Sequence, residues 1–171
     1  MLDNSPKSYY TVKVRFGTIF GKRQGNMDFR KQMNDFFAQT YRQDELYDIW
    51  AKQNGLKPST VAVLYMLDQF ETCTQGWIAK MCLLPKQTVH TVVQELEQAG
   101  HLEKVSDPGR REKPLRLTKS GKQYAADKLG GLYRAEERAA ADIGAQQFAA
   151  MVELTRKFTD AFAKEILDGA E

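Results

Sequence analysis

Apolar residues recur three and four positions apart along most of this chain, and over one short stretch the interval falls to two. From Met27 to about Lys52, the positions Phe29, Met33, Phe36, Phe37, Tyr41, Tyr47 and Trp50 keep mostly helical steps, which predicts a long amphipathic helix ended by Asn54-Gly55. LKPSTVAVLYMLDQF follows as a second helix, opened by Pro58 or Ser59, with Val63, Leu64, Leu67 and Phe70 turned inward. Trp77 and Ile78 lead a short third helix. In PKQTVHTVVQELEQAG the residues Val89, Val92, Val93 and Leu96 form one apolar stripe. Pro85 can open this fourth helix, because a first-turn residue needs no amide hydrogen, and Gly100 can close it.

Beyond Gly100 the period changes. HLEKV and PLRLT alternate apolar and polar residues on either side of SDPGRREK, where Asp107, Pro108 and Gly109 are turn formers, so a hairpin is predicted. Thr118 then caps a long helix through Tyr124, Leu129, Leu132 and Tyr133 towards Ile143, interrupted at Gly130-Gly131. Each interior glycine costs about 1 kcal/mol relative to alanine, so the pair implies either a kink or the close approach of another helix. Gly144 separates a last helix with Phe148, Met151, Leu154, Phe158, Phe162 and Ile166 on one stripe. At the other end, Tyr10, Val12, Val14 and Phe16 alternate with Thr11, Lys13 and Arg15. Three readings stay open there: a short strand, an irregular extension ahead of a start at Met27, or a basic arm of Lys7, Lys13, Arg15, Lys22 and Arg23 that touches DNA.

From Thr74 to Gly121, helix, turn, helix and hairpin follow without a spacer, which reads as a winged helix-turn-helix. Lys86, Gln87, Thr88, His90, Thr91 and Gln94 fall mostly off the apolar stripe of the second of these helices. Amide, hydroxyl and ammonium groups on such a face can hydrogen-bond to base edges in a major groove wide enough for one helix. In and around the hairpin, Lys104, Arg110, Arg111, Lys113, Arg116, Lys119 and Lys122 outnumber Glu103, Asp107 and Glu112, a local charge suited to phosphates. The predicted DNA-binding set is the six helix residues with Arg110, Arg111 and Lys113.

Composition narrows the class. With 42% apolar and 27% charged residues the chain is an ordinary globular one, and its net charge of +3 says less than the clustering of that charge. No apolar run approaches the roughly 20 residues of a membrane span, and no leader opens the chain, so a cytoplasmic protein without a membrane partner is expected. Cys73 and Cys82 cannot build a disulfide framework. Cys82 reads as a buried small hydrophobe and Cys73, in ETCTQG, as the more exposed thiol. A redox sensor at Cys73 is one alternative, although it lacks an activating neighbour in sequence. The chain shows neither a phosphate-binding glycine loop, nor a nucleophile elbow, nor a histidine pair at metal spacing, so no enzyme, metal or cofactor is expected.

TQGWIAKMCLLPKQTVHTVVQELEQAGHLEKVSDPGRREKPLRLTKSG resembles the DNA-binding core of the MarR family of bacterial transcription regulators, with its TxxxLAxxLxLxxxTVTRxVxxLExxGLxxR, DPxDRR and LTxxG patterns. Three departures stand out. DPGRR is one residue shorter than DPxDRR, so the Asp that braces the wing arginine is absent; His90-Thr91 replaces the common Thr-Arg; Glu95 stands where Arg is common. Aligned back from Leu117-Thr118, Arg111 matches the wing-tip arginine.

The resemblance implies a mainly α fold with a small β-wing, the winged helix-turn-helix being flanked by N- and C-terminal dimerisation helices. The chain then divides into an extension (1–26), an N-terminal dimerisation helix (27–55), the DNA-binding domain (56–121) and C-terminal dimerisation helices (122–171). It further implies a homodimeric, ligand-responsive repressor on a palindromic site in double-stranded DNA, with a small aromatic effector in a cleft. Phe36, Phe37, Tyr41, Tyr47, Trp50, Tyr65 and Trp77 could line such a cleft or belong to the core. The alternative from another class is a helical interaction module that uses the winged helix to bind a protein.

Overall fold

A computed structural model describes residues 28–106, 109 and 112–168. The predicted N-terminal strand or arm, Asp107, Pro108, Arg110 and Arg111 lie outside the described residues. The helices are α1 (Phe29–Gln53), α2 (Pro58–Gln69), α3 (Gln75–Met81), α4 (Lys86–Gln98), α5 (Lys119–Ile143) and α6 (Ala145–Asp168). Strands β1 (Leu102–Lys104) and β2 (Leu115–Leu117) pair antiparallel, Glu103 opposite Arg116. The fold is thus mainly α with a small β-wing.

Two compact units divide the chain, Met1–Thr40 and Tyr41–Glu171, and α1 contributes to both. In the first, the Phe36 and Phe37 rings meet edge to face at 5.6 Å, and Phe29 is 65% exposed.

The second unit holds the core. Val63 and Leu64 of α2, Ile78 of α3, Val89 and Val93 of α4, Leu115 of β2 and Leu129 of α5 are fully buried together, and among the described residues no polar side chain is buried with them. Each such side chain contributes about 1.5–3 kcal/mol by leaving water. The inward positions read from the periodicity of α2 and α4 are therefore the packed ones, with one exception. Phe70, expected inside, is 44% exposed because α2 ends there in an extended residue; its ring meets Trp77 edge-on at 4.8 Å.

Two further expectations are corrected. The helix after the wing is not interrupted at Gly130-Gly131 but runs through to Ile143. The Trp50 ring of α1 stands 3.5 Å from a Cβ built on Gly131, an ordinary van der Waals contact, so α1 of the same chain packs against α5 at this point. Cys73 is buried, not exposed. Its amide donates to the Leu115 carbonyl (3.2 Å) and its carbonyl accepts from the Leu115 amide (2.8 Å), which sets it beside the wing as a single-residue third strand. Cys82 is half-buried, its Sγ 3.9 Å from the Ala62 carbonyl oxygen.

Candidate nucleic-acid interface

Thr74 opens α3 by accepting the Trp77 amide at 3.2 Å, satisfying one of the amides a helix start leaves unpaired. The turn into α4 then passes through Leu83, a non-glycine residue with φ of 51°. Pro85 precedes α4 as its cap residue. At the far end, Gly100 (φ 72°) donates to the Glu97 carbonyl and His101 to the Leu96 carbonyl, the paired bonds that close a helix on a left-handed residue.

Between these ends α4 has two faces. Val89, Val92, Val93 and Leu96 are buried, while Lys86, Gln87, His90, Thr91 and Gln94 are exposed and Thr88 is half-buried. Burial of the valine stripe fixes the helix rotation, and so fixes which polar groups face outward. His90 Nδ1 lies 3.2 Å from Gln75 Oε1 at the start of α3, and the Thr91 hydroxyl donates to the Gln87 carbonyl, leaving its oxygen as an outward acceptor. Glu95, which stands where the family commonly has Arg, pairs with Lys57 at 3.3 Å.

The hairpin is less uniformly basic than its composition implies. Lys104 pairs with Glu97 at 2.8 Å and Arg116 with Glu103 at 2.6 Å, so two of the seven cations counted from sequence already have carboxylate partners. Lys113 is exposed at the hairpin tip. Arg110 and Arg111 lie outside the described residues. Glu112 turns back: its carboxylate accepts the Gly76 amide of α3 at 2.7 Å.

The wing is tied to α4 and α5 at its base. Gly100 closes α4, and its carbonyl accepts from both Thr118 Oγ1 (2.7 Å) and Ser120 Oγ (2.9 Å). Thr118 also caps α5 by accepting the Gly121 amide at 3.1 Å. Sequence reasoning found the Thr118 cap but missed its second bond, as well as Gln75 and Glu112, because each partner is distant in the chain.

The aromatic residues proposed for an effector cleft do not act as one set. Tyr47, Trp50, Tyr65 and Trp77 pack against the core, and Tyr41 is exposed. Two phenols meet carboxylates instead, Tyr47 with Glu136 at 2.7 Å and Tyr133 with Asp68 at 2.6 Å. Burial, then the adjacent carboxylate, raises both phenols above their ordinary range, so they stay protonated donors. An open groove of about 520 Å³ lies elsewhere, lined by Asp68, Phe70, Glu103, Arg116, Lys119 and Lys122 among others. No group of His, Cys, Asp and Glu among the described residues could hold a metal ion, and no described helix is long and apolar enough to cross a membrane.

Comparison with known proteins places this geometry. The model of the MarR family matches residues 54–112, which hold α2 to α4 and the first strand of the hairpin. No curated protein matches the chain in sequence. A MarR family regulator from Neisseria meningitidis is similar over 81% of this chain and 98% of its own, at 26% identity and a TM-score of 0.66. The structure of NadR in complex with 4-hydroxyphenylacetate is similar over 84% and 97%, at 14% identity and a TM-score of 0.60. Bordetella bronchiseptica BpsR, whose structure concerns regulation of DNA binding by 6-hydroxynicotinic acid, is similar over 80% and 99%, at 20% identity and a TM-score of 0.55. The last two likenesses are of fold alone. The helix-turn-helix thus matches the MarR family model, and the chain as a whole shares the winged-helix fold of that family's solved regulators.

Proposed function

We propose that the protein is a sequence-specific DNA-binding transcriptional repressor that acts as a homodimer on a palindromic site and releases it in response to a small aromatic ligand. The observation that carries the DNA-binding reading is the division of α4: a buried valine stripe holds Lys86, Gln87, His90, Thr91 and Gln94 outward, beside a hairpin bearing Lys113. Such a face offers donors and acceptors to base edges with little fixed charge of its own.

Dimerisation is supported by apolar surface that a single chain leaves in water. Met151, Leu154, Phe162 and Ile166 of α6 are each about half exposed. A few such residues, at about 1.5–3 kcal/mol each when buried, can offset the cost of association. A two-fold pair presents two α4 helices to one side of a duplex, so half-sites about one helical turn apart are expected. The ligand class draws on the hydroxylated aromatic acids named with the NadR and BpsR structures.

Selection of bound sites from random duplexes, followed by titration at several salt concentrations, tests the proposal. A recovered inverted repeat whose affinity falls steeply with salt supports it. Absence of duplex binding at low salt overturns it in favour of a protein-binding module.

A further inference from the structure

In the sequence, DPG is followed by two arginines and then Glu112, the acid nearest the hairpin's return strand. Glu112 Oε1 accepts the Gly76 amide at 2.7 Å, across 36 positions of sequence. A Cβ built on Gly76 would stand 2.9 Å from Glu112 Oε2, so the carboxylate rests against the bare glycine backbone. Nearby, Leu115 exchanges both backbone bonds with Cys73, and Pro114 is buried. The hairpin's return strand is thus fastened to the start of α3 at two adjacent points.

We propose that Glu112 is a positioning residue for the wing: its bond to the Gly76 amide docks the hairpin's return side, which carries the exposed Lys113, onto α3 and so holds it in place for DNA. This rests on the DNA-binding reading above. A carboxylate on an amide of the first turn is favourable for two reasons, since it satisfies an otherwise unpaired donor and sits at the positive end of the helix. Fixing the return side of the hairpin in advance removes a cost that would otherwise be drawn from binding. The anchor leaves Lys113 the immediate chain neighbour of a fixed point.

The two roles open to Glu112 predict opposite signs. An exposed acid that merely faces a polyanion repels it, so its removal tightens binding. A brace behaves otherwise. Glu112→Ala should weaken binding to a selected duplex about three- to tenfold despite removing a negative charge. Glu112→Gln keeps an acceptor oxygen for Gly76 and loses the repulsion, so it should bind as tightly as wild type or tighter. Gly76→Ala keeps the charge but displaces the carboxylate, and should weaken binding as Glu112→Ala does.

Amide hydrogen exchange at Gly76, measured by NMR without DNA, separates the brace from the DNA reading. Protection in wild type that is lost in Glu112→Ala and kept in Glu112→Gln is the expected result. Equal exchange in all three proteins overturns the brace, whatever the binding data. Tighter binding by Glu112→Ala overturns the positioning role. If exchange behaves as expected but no duplex binds, the contact stands while its role in DNA recognition is overturned together with the proposed function.

Discussion

Gly121 sits directly beneath the His101 backbone: a Cβ built at Gly121 would collide with the His101 carbonyl oxygen and lie 2.8 Å from its carbonyl carbon. That carbonyl also accepts the Thr118 amide at 3.1 Å, so it cannot turn away. Gly121→Ala should therefore lower stability by about 1–3 kcal/mol, the usual cost of forcing a methyl group into packed structure. Urea unfolding measures it, and an unchanged midpoint would show that the segment shifts freely.

A contrary effect is expected at Leu83. Its φ of 51° is left-handed and its side chain is 80% exposed, so it loses little burial on replacement. A left-handed backbone costs an ordinary residue about 1–2 kcal/mol, of which glycine's greater freedom when unfolded takes back part. Leu83→Gly should leave stability unchanged or raise it by up to about 1 kcal/mol, whereas Leu64→Ala in the core should cost about 2–5 kcal/mol. Thermal melts of the two variants decide it; a large loss in Leu83→Gly contradicts the strain.

Base preference should depend on a residue outside α4. His90 Nδ1 lies 3.2 Å from Gln75 Oε1, and in the neutral tautomer that donates through Nδ1 to this oxygen, Nε2 is an acceptor. An acceptor suits an amino group on cytosine or adenine, and losing a matched contact costs about 1–3 kcal/mol of discrimination. Gln75→Ala should relax one position in each half-site, as should His90→Ala. Recovery of the wild-type motif at full strength from both variants would remove His90 from the reading surface.

Oxidation should leave DNA binding largely intact. Burial, then the nearby Cys82, pushes the Cys73 thiol up to about 11, so little thiolate exists near neutrality. The folded state holds this proton where the unfolded chain has released it. The associated stability is complete below pH 9.0, the ordinary value, and is lost as pH rises through about 11. Thiol labelling at Cys73 near pH 8 should be slow until the protein unfolds. Peroxide-dependent release of DNA that disappears in Cys73→Ser would restore the redox-sensor reading.

Removing α6 should expose the dimer. A chain ended after Gly144 loses the half-exposed Met151, Leu154, Phe162 and Ile166 and should sediment as a monomer or precipitate. A soluble truncated dimer of unchanged stability would place the interface elsewhere.

Sequence periodicity located what repeats locally. The stripe of α4, the cap at Thr118 and the closing Gly100 follow from residues within a few positions of one another, and so were legible. Cys73 was misread because a single-residue β-bridge has no period, and its partner Leu115 lies beyond two helices. Glu112 counted as one acid among many bases until Gly76 stood beside it. Gly130-Gly131 showed that something must approach or bend, but only tertiary packing identified Trp50.

The two hydroxyls that share the Gly100 carbonyl tie the end of α4 to the start of α5. With Gly121 wedged under His101, the joint behaves as a welded corner rather than a swivel. α5, at 25 residues, is about 37 Å long at 1.5 Å per residue, so it is a long handle on a short blade. A tilt of α5 as a rigid body would carry the exposed face of α4 with it. In the proposed dimer, the stance of two handles would set the spacing of two blades, and the proposed ligand could act on one end without touching the other.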